Sequence, residues 1–106
     1  MIGRPSSPEI VAVQKLTAKM KYKMRRRKHS HTNHWHDMTL NDLIACVSRE
    51  LWELNMAAVA LKREEDCYAR WMIFDDKRII RAKRRVINEC ADVANYCAFI
   101  VDNLTR

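Results

Sequence analysis

The 106-residue chain holds one glycine and two prolines, and all three (Gly3, Pro5 and Pro8) fall within the first eight residues. Beyond Pro8 nothing interrupts a long helix, and the turn chemistry that hairpins need is scarce. That scarcity argues against a sandwich or barrel and for an all-α chain. No apolar run approaches the roughly 18–20 residues needed to cross a bilayer, so a membrane-spanning role is not expected. The first eight residues are polar and lack the hydrophobic segment of a secretory leader. The four cysteines (Cys46, Cys67, Cys90 and Cys97) include no Cys-x-x-Cys pair. Their plain reading is reduced, buried thiols in a cytoplasmic protein.

A chain of this length is one domain and buries roughly two-thirds of its unfolded surface. We expect a flexible tail over residues 1–7 and a single helical domain over 8–106. The formal charge of +7 is unevenly spread. Residues 1–36 hold nine Lys/Arg against one Glu, whereas residues 37–106 hold eleven against twelve acids. The basic excess belongs to the N-terminal segment, and such a patch attracts polyanions, whether nucleic acid or a triphosphate.

Ser7-Pro8-Glu9 is a helix start: a capping serine, proline at the first helical position and an acid at the positive end of the dipole. Ile10, Val13, Leu16, Met20 and Met24 recur at steps of three and four, which predicts a first helix to about Lys28. His29 to Met38 reads as a polar loop. Thr39-Leu-Asn-Asp42 is a capping-box variant opening a second helix, with Leu40, Leu43, Ile44, Val47, Leu51, Leu54, Ala58 and Leu61 as its stripe. Lys62 to Asp76 admits continuation, a turn, or a short extra helix carrying Trp71 and Phe74. A last helix starts at Asp75 or Asp76 and runs to about Leu104. The expected architecture is an antiparallel bundle of three long helices, plus a short fourth where that stretch forms one, completed by dimerisation.

Two acidic couplets stand out on these helices, Glu50-x-x-Glu53 and Glu89-x-x-Asp92. Spacing of i, i+3 sends both carboxylates of a couplet from one side of a helix. Most glutamates on amphipathic helices belong to a solvated face. Glu89, however, adjoins the apolar row of Cys90, Val93, Ala94 and Cys97, where an unpaired charge is expensive. Antiparallel packing would gather four carboxylates together. Like charges at short range raise one another's pKa, and a hard divalent cation among them relieves the cost. Glu50 is expected at the edge of its stripe, Glu53 further round, and Cys46, Ala57 and Ala60 leave room for a ligand beside them.

The surrounding residues extend the pattern. Trp35, Leu40-x-x-Leu43-Ile44, Ser48-Arg49-Glu50-Leu51-Trp52-Glu53-Leu54 and Asn88-Glu89-Cys90-Ala91-Asp92-Val93-Ala94-Asn95-Tyr96, continuing through Ile100-Val101-Asp102-Asn103, together resemble the MazG-like all-α nucleoside triphosphate pyrophosphohydrolases, over about residues 13–104. The resemblance implies hydrolysis of an NTP or dNTP to the monophosphate and pyrophosphate. It implies a Mg²⁺ cluster of Glu50, Glu53, Glu89 and Asp92, with Mn²⁺ as a substitute and Glu53 as the candidate for orienting or deprotonating the attacking water. Asn95 and Tyr96 are expected to border the nucleotide. Many members carry two adjacent acids where this chain has Arg49-Glu50, which leaves the number of metal ions open. The connection between the motifs is also longer than in compact members, which leaves substrate choice open.

Other candidates have plainer alternatives. Trp35 with His34 could stack on a base, or close the end of the bundle. Lys19, within the run of basic residues from 19 to 28, and Arg85, one turn before Glu89, could grip phosphate oxygens; the usual role of such residues is a solvated face. His29, His31, His34 and His36 form two His-x-His units, but no ligand beyond adjacent Asp37 completes a tetrahedral set. Trp52, Trp71, Phe74 and Phe99 are expected at a subunit interface or an inter-helix layer, giving a homodimer or a tetramer. The rival function is a small basic helical nucleic-acid-binding regulator, which leaves the four acids unexplained.

Overall fold

Serine at position 7 and proline at position 8 set the first helix as their chemistry requires. Ser7 Oγ accepts from the amide of Ile10 at 3.3 Å, and its carbonyl from that of Val11 at 3.1 Å. The protein is described from a computed structural model that covers residues 7–30, 34–71 and 76–106, with the backbone alone at residues 27–30, 34, 36 and 71. Helix α1 spans Pro8–Ser30, α2 Leu40–Trp71 and α3 Asp76–Thr105. A short 3₁₀ turn at His34–Asp37 precedes α2, within the segment expected to be loop. The start of α2 is locked reciprocally. Thr39 N–H donates to Asp42 Oδ2 and Asp42 N–H to Thr39 Oγ1, each at 3.2 Å, so two otherwise orphaned donors are satisfied.

The described residues are all-α. Residues 62–71 continue α2 without a break, so the short extra helix does not form there; residues 72–75 lie outside the described residues, as do nearly all of the expected tail and the side chains of all four histidines and of Trp71 and Phe74. With neither glycine nor proline to stop it, α2 propagates through residues 62–71.

Long-range contacts fix the directions. Arg78 near the start of α3 pairs with Glu64 near the end of α2 at 3.1 Å, while Asn103 Nδ2 donates to the carbonyl of Met38 at 3.5 Å. The two helices are therefore antiparallel. Helix α1 also runs against α3, since Met20 meets Asn95 and Lys23 meets Asp92.

The core gathers at one end of this arrangement. Leu43, Tyr96 and Phe99 are buried, with Met24, Trp35, Met38, Cys46, Val47 and Ile100 packed against them. Trp35 stacks on Phe99 at 4.5 Å between ring centroids, and Tyr96 meets Phe99 edge-on at 5.7 Å. Ala57 and Ala91 are fully buried, and small side chains at helix contacts permit close approach of the axes. Ala57 is thus packed rather than part of an open space.

Much apolar surface stays open. Ile10, Val13, Ile44, Leu51, Trp52, Met56, Val59, Ile87 and Val101 are exposed. The radius of gyration is 17.2 Å, against about 13 Å for a compact chain of this length. All four cysteines are free; Cys46 and Cys90 are half-buried, but Cys67 and Cys97 are exposed. The expectation of buried thiols fails for these two because neither is covered by a neighbouring helix. Among the described residues no helix is long and apolar enough to cross a membrane.

Candidate functional site

The antiparallel register of α2 and α3 brings the two acidic couplets to one level. One carboxylate oxygen each from Glu50, Glu89 and Asp92 lies within 4.8 Å of the others. Glu53, one turn after Glu50, is half-buried, and its charge acts on both Glu50 and Glu89. Glu50 departs most from the sequence reading. Placed by periodicity at the edge of its stripe, it is 5 % exposed. Burial is deeper than the α2 pattern alone implies because α3 covers that edge.

Buried Glu50 and half-buried Glu89 each carry an unsatisfied atom. Glu50 Oε2 and Glu89 Oε2 are shielded from water and have no hydrogen-bond partner. Burial pushes the Glu50 carboxyl above its ordinary pKa, and the charges of Glu53 and Asp92 push the same way; Arg49 opposes them. Glu89 is raised by burial and then by Asp92 and Glu53, against the pull of Lys23 and Arg85. A buried carboxylate oxygen without a donor costs free energy unless a cation or proton meets it. The donor set consists of hard oxygens, the set that Mg²⁺ prefers.

Two cations of the chain touch the cluster. Lys23 of α1 places its ammonium 2.6 Å from Asp92 Oδ2, and donates to the carbonyl of Asn88 at 3.3 Å. Arg49 Nη2 makes long 3.4 Å contacts with Glu50 Oε1 and with the hydroxyl of Tyr96. Lys23 went unselected in the sequence because it is one of seven similar residues between 19 and 28. Its helical phase, on the side of α1 that carries Met20 and Met24, is shared by Lys19 one turn earlier and does not separate the two. Arg49 occupies the position noted as a departure and reaches both an acid and Tyr96.

The remaining candidates fall in different places. Arg85 is exposed, with its charge felt at Glu89. Lys19 lies over the ring of Tyr22, with its ammonium 5.2 Å from the centroid, one turn before Lys23. Asn95 is fully buried and donates to the carbonyl of Met20 at 3.4 Å. Tyr96 has its ring in the core and its hydroxyl toward Arg49. Trp35 packs flat on Phe99 and carries the Arg106 guanidinium 5.7 Å above its ring, the place of an anchor closing the bundle end. A cleft on α1 lined by Val13, Gln14, Thr17, Ala18, Lys21 and Arg25 contains none of the four acids.

Comparison with protein-family models, with curated proteins and with solved structures gives no match to this chain.

Proposed function

We propose that the protein is a Mg²⁺-dependent nucleoside triphosphate pyrophosphohydrolase, adding water across the α–β phosphoanhydride of an NTP or dNTP to give the monophosphate and pyrophosphate. The observation that carries this reading is the pair of buried, unpartnered oxygens, Glu50 Oε2 and Glu89 Oε2, in a cluster with Asp92. Glu50, Glu89 and Asp92, with Glu53 beside them, would hold the ion. Bound there, Mg²⁺ offsets charge developing on the phosphate oxygens and acidifies a coordinated water.

The chain's own residues divide the remaining work. Glu53 lies further from the apolar stripe of α2 than Glu50 and is half-exposed in the fold, which suits it to orient the attacking water and accept its proton. Arg85 is exposed one turn before Glu89 and free to approach phosphate oxygens from solvent. Arg49 ties the cluster to Tyr96 and limits where a nucleotide can lie.

The active form is a homodimer, with a tetramer as the larger alternative. Trp52, Met56 and Val59 share one side of α2 and are all exposed, and an apolar face of this kind marks an interaction surface. Four free thiols fit a reducing, cytoplasmic setting, where nucleotide-pool control would take place.

The outer side of α1 favours a second reading, nucleic-acid binding without catalysis. Lys21, Arg25 and Arg26 are exposed around a half-exposed Tyr22, a basic surface with an aromatic at its centre. It leaves the acidic cluster without a purpose, and we rank it second. A panel of NTPs and dNTPs with Mg²⁺ separates the two. The enzyme reading requires metal-dependent pyrophosphate release that Glu53→Gln or Asp92→Asn abolishes. No turnover, together with tight and steeply salt-dependent DNA binding, selects the second.

A further inference from the structure

We infer that the ammonium of Lys23 is a built-in cation of the acidic cluster, so that the site takes one divalent ion per chain and not two. The inference rests on the proposed metal site and fixes its stoichiometry.

The charge and the oxygen supply both point to one ion. Ionised, the four carboxylates carry four negative charges. Lys23 meets Asp92 directly and Arg49 meets Glu50, leaving two, the charge of a single Mg²⁺. Lys23 is the firmer of the two cations, with a quarter of its side chain exposed and a 2.6 Å contact, against 3.4 Å and an open side chain for Arg49. Its second contact, to the carbonyl of Asn88, holds the ammonium between α1 and α3.

Paired-ion sites place two metals roughly 3.5–4 Å apart and bridge them with carboxylates that offer both oxygens. Here Asp92 Oδ2 is engaged by Lys23 and Glu50 Oε1 faces Arg49. The carboxylate oxygens that are both fully buried and without a hydrogen-bond partner are one from Glu50, itself more than nine-tenths buried, and one from Glu89. One carboxylate oxygen from each of Glu50, Glu89 and Asp92 lies within 4.8 Å of the others. Opposite ligands around one Mg²⁺ stand about 4.2 Å apart, twice the usual metal–oxygen distance, so a small contraction closes the set on one ion.

Titration of the full chain with Mn²⁺ alone, followed by electron paramagnetic resonance of the free ion and by calorimetry, tests this. The wild type should take one ion per chain. Lys23→Gln should admit a second ion or bind the first at least about tenfold more tightly, because removing a unit charge at this range strengthens the field on the cation. Lys23→Arg should keep the wild-type count. Two ions of comparable affinity in the wild type overturn the inference while leaving the hydrolase reading intact. So does a folded Lys23→Gln protein with unchanged count and affinity. No ion bound, with no turnover in the same preparation, overturns both. If Lys23→Gln fails to fold, by its helical circular dichroism, the wild-type count alone decides.

Discussion

The side-chain amide of Asn95 donates to the backbone carbonyl of Met20 across the α1–α3 contact, and Asn95 is fully buried. It lies one turn beyond Asp92, the residue that Lys23 of α1 also reaches. Two polar links therefore fasten α1 beside the acidic cluster. Asn95→Ala should cost about 0.5–1.5 kcal/mol in urea unfolding, the range for a lost intramolecular hydrogen bond, since the Met20 carbonyl keeps its helical donor. Asn95→Asp should cost more, because it adds a buried charge near the cluster. An unchanged midpoint in both would show that the link carries no stability.

Glu50→Gln should behave in opposite ways with and without metal. In EDTA the substitution removes a buried, crowded charge while conserving shape, and should stabilise the fold by about 1 kcal/mol or more, a Tm rise of several degrees. With millimolar Mg²⁺ the wild type should gain stability by mass action, and Glu50→Gln should gain little. Thermal melts of both proteins under both conditions check this. A wild type indifferent to Mg²⁺ would contradict it.

The same carboxylates set the pH dependence. Folding raises the pKa of Glu50 and Glu89, so the folded state holds protons more tightly than the unfolded chain. Their contribution to stability is full below the unfolded value and is lost as pH rises through the folded values. In EDTA, stability should therefore climb as pH falls from neutrality toward the ordinary glutamate value. The stabilisation conferred by Mg²⁺ should run the other way and grow with pH, since the ion competes with protons for the same oxygens. Melts in EDTA and in Mg²⁺ across that interval should show the two trends, and Glu50→Gln should flatten both.

Trp52 is 64 % exposed on α2, with Met56 and Val59 one and two turns further on. If this side pairs with a second copy, Trp52→Glu should convert dimer to monomer in sedimentation velocity while circular dichroism stays helical. Unchanged association would move the interface elsewhere, and a monomeric wild type would remove it.

The sequence carried much of the local structure and less of the site. Ser7, Thr39 and Asp42 act through neighbours within four residues, so their caps could be read directly. The extent of α2 past Lys62 could not, because residues 62–71 suit a helix and a turn region alike until packing decides. The couplets were legible for the same reason as the caps: i, i+3 spacing is local. What each acid experiences was not, since Glu50 is buried by α3 and Asp92 is paired from α1. The selection of Lys23 over Lys19 depends on the approach of α1 to α3, a contact between residues far apart in the chain.

Hydrolysis in ¹⁸O-enriched water, followed by ³¹P NMR of a nucleoside triphosphate with Mg²⁺, tests whether these carboxylates direct water onto the α-phosphorus. The account predicts metal-dependent conversion to monophosphate and pyrophosphate, with the heavy oxygen in the monophosphate and no conversion by Asp92→Asn. Label in the pyrophosphate, release of orthophosphate, or no turnover of any nucleotide would contradict it.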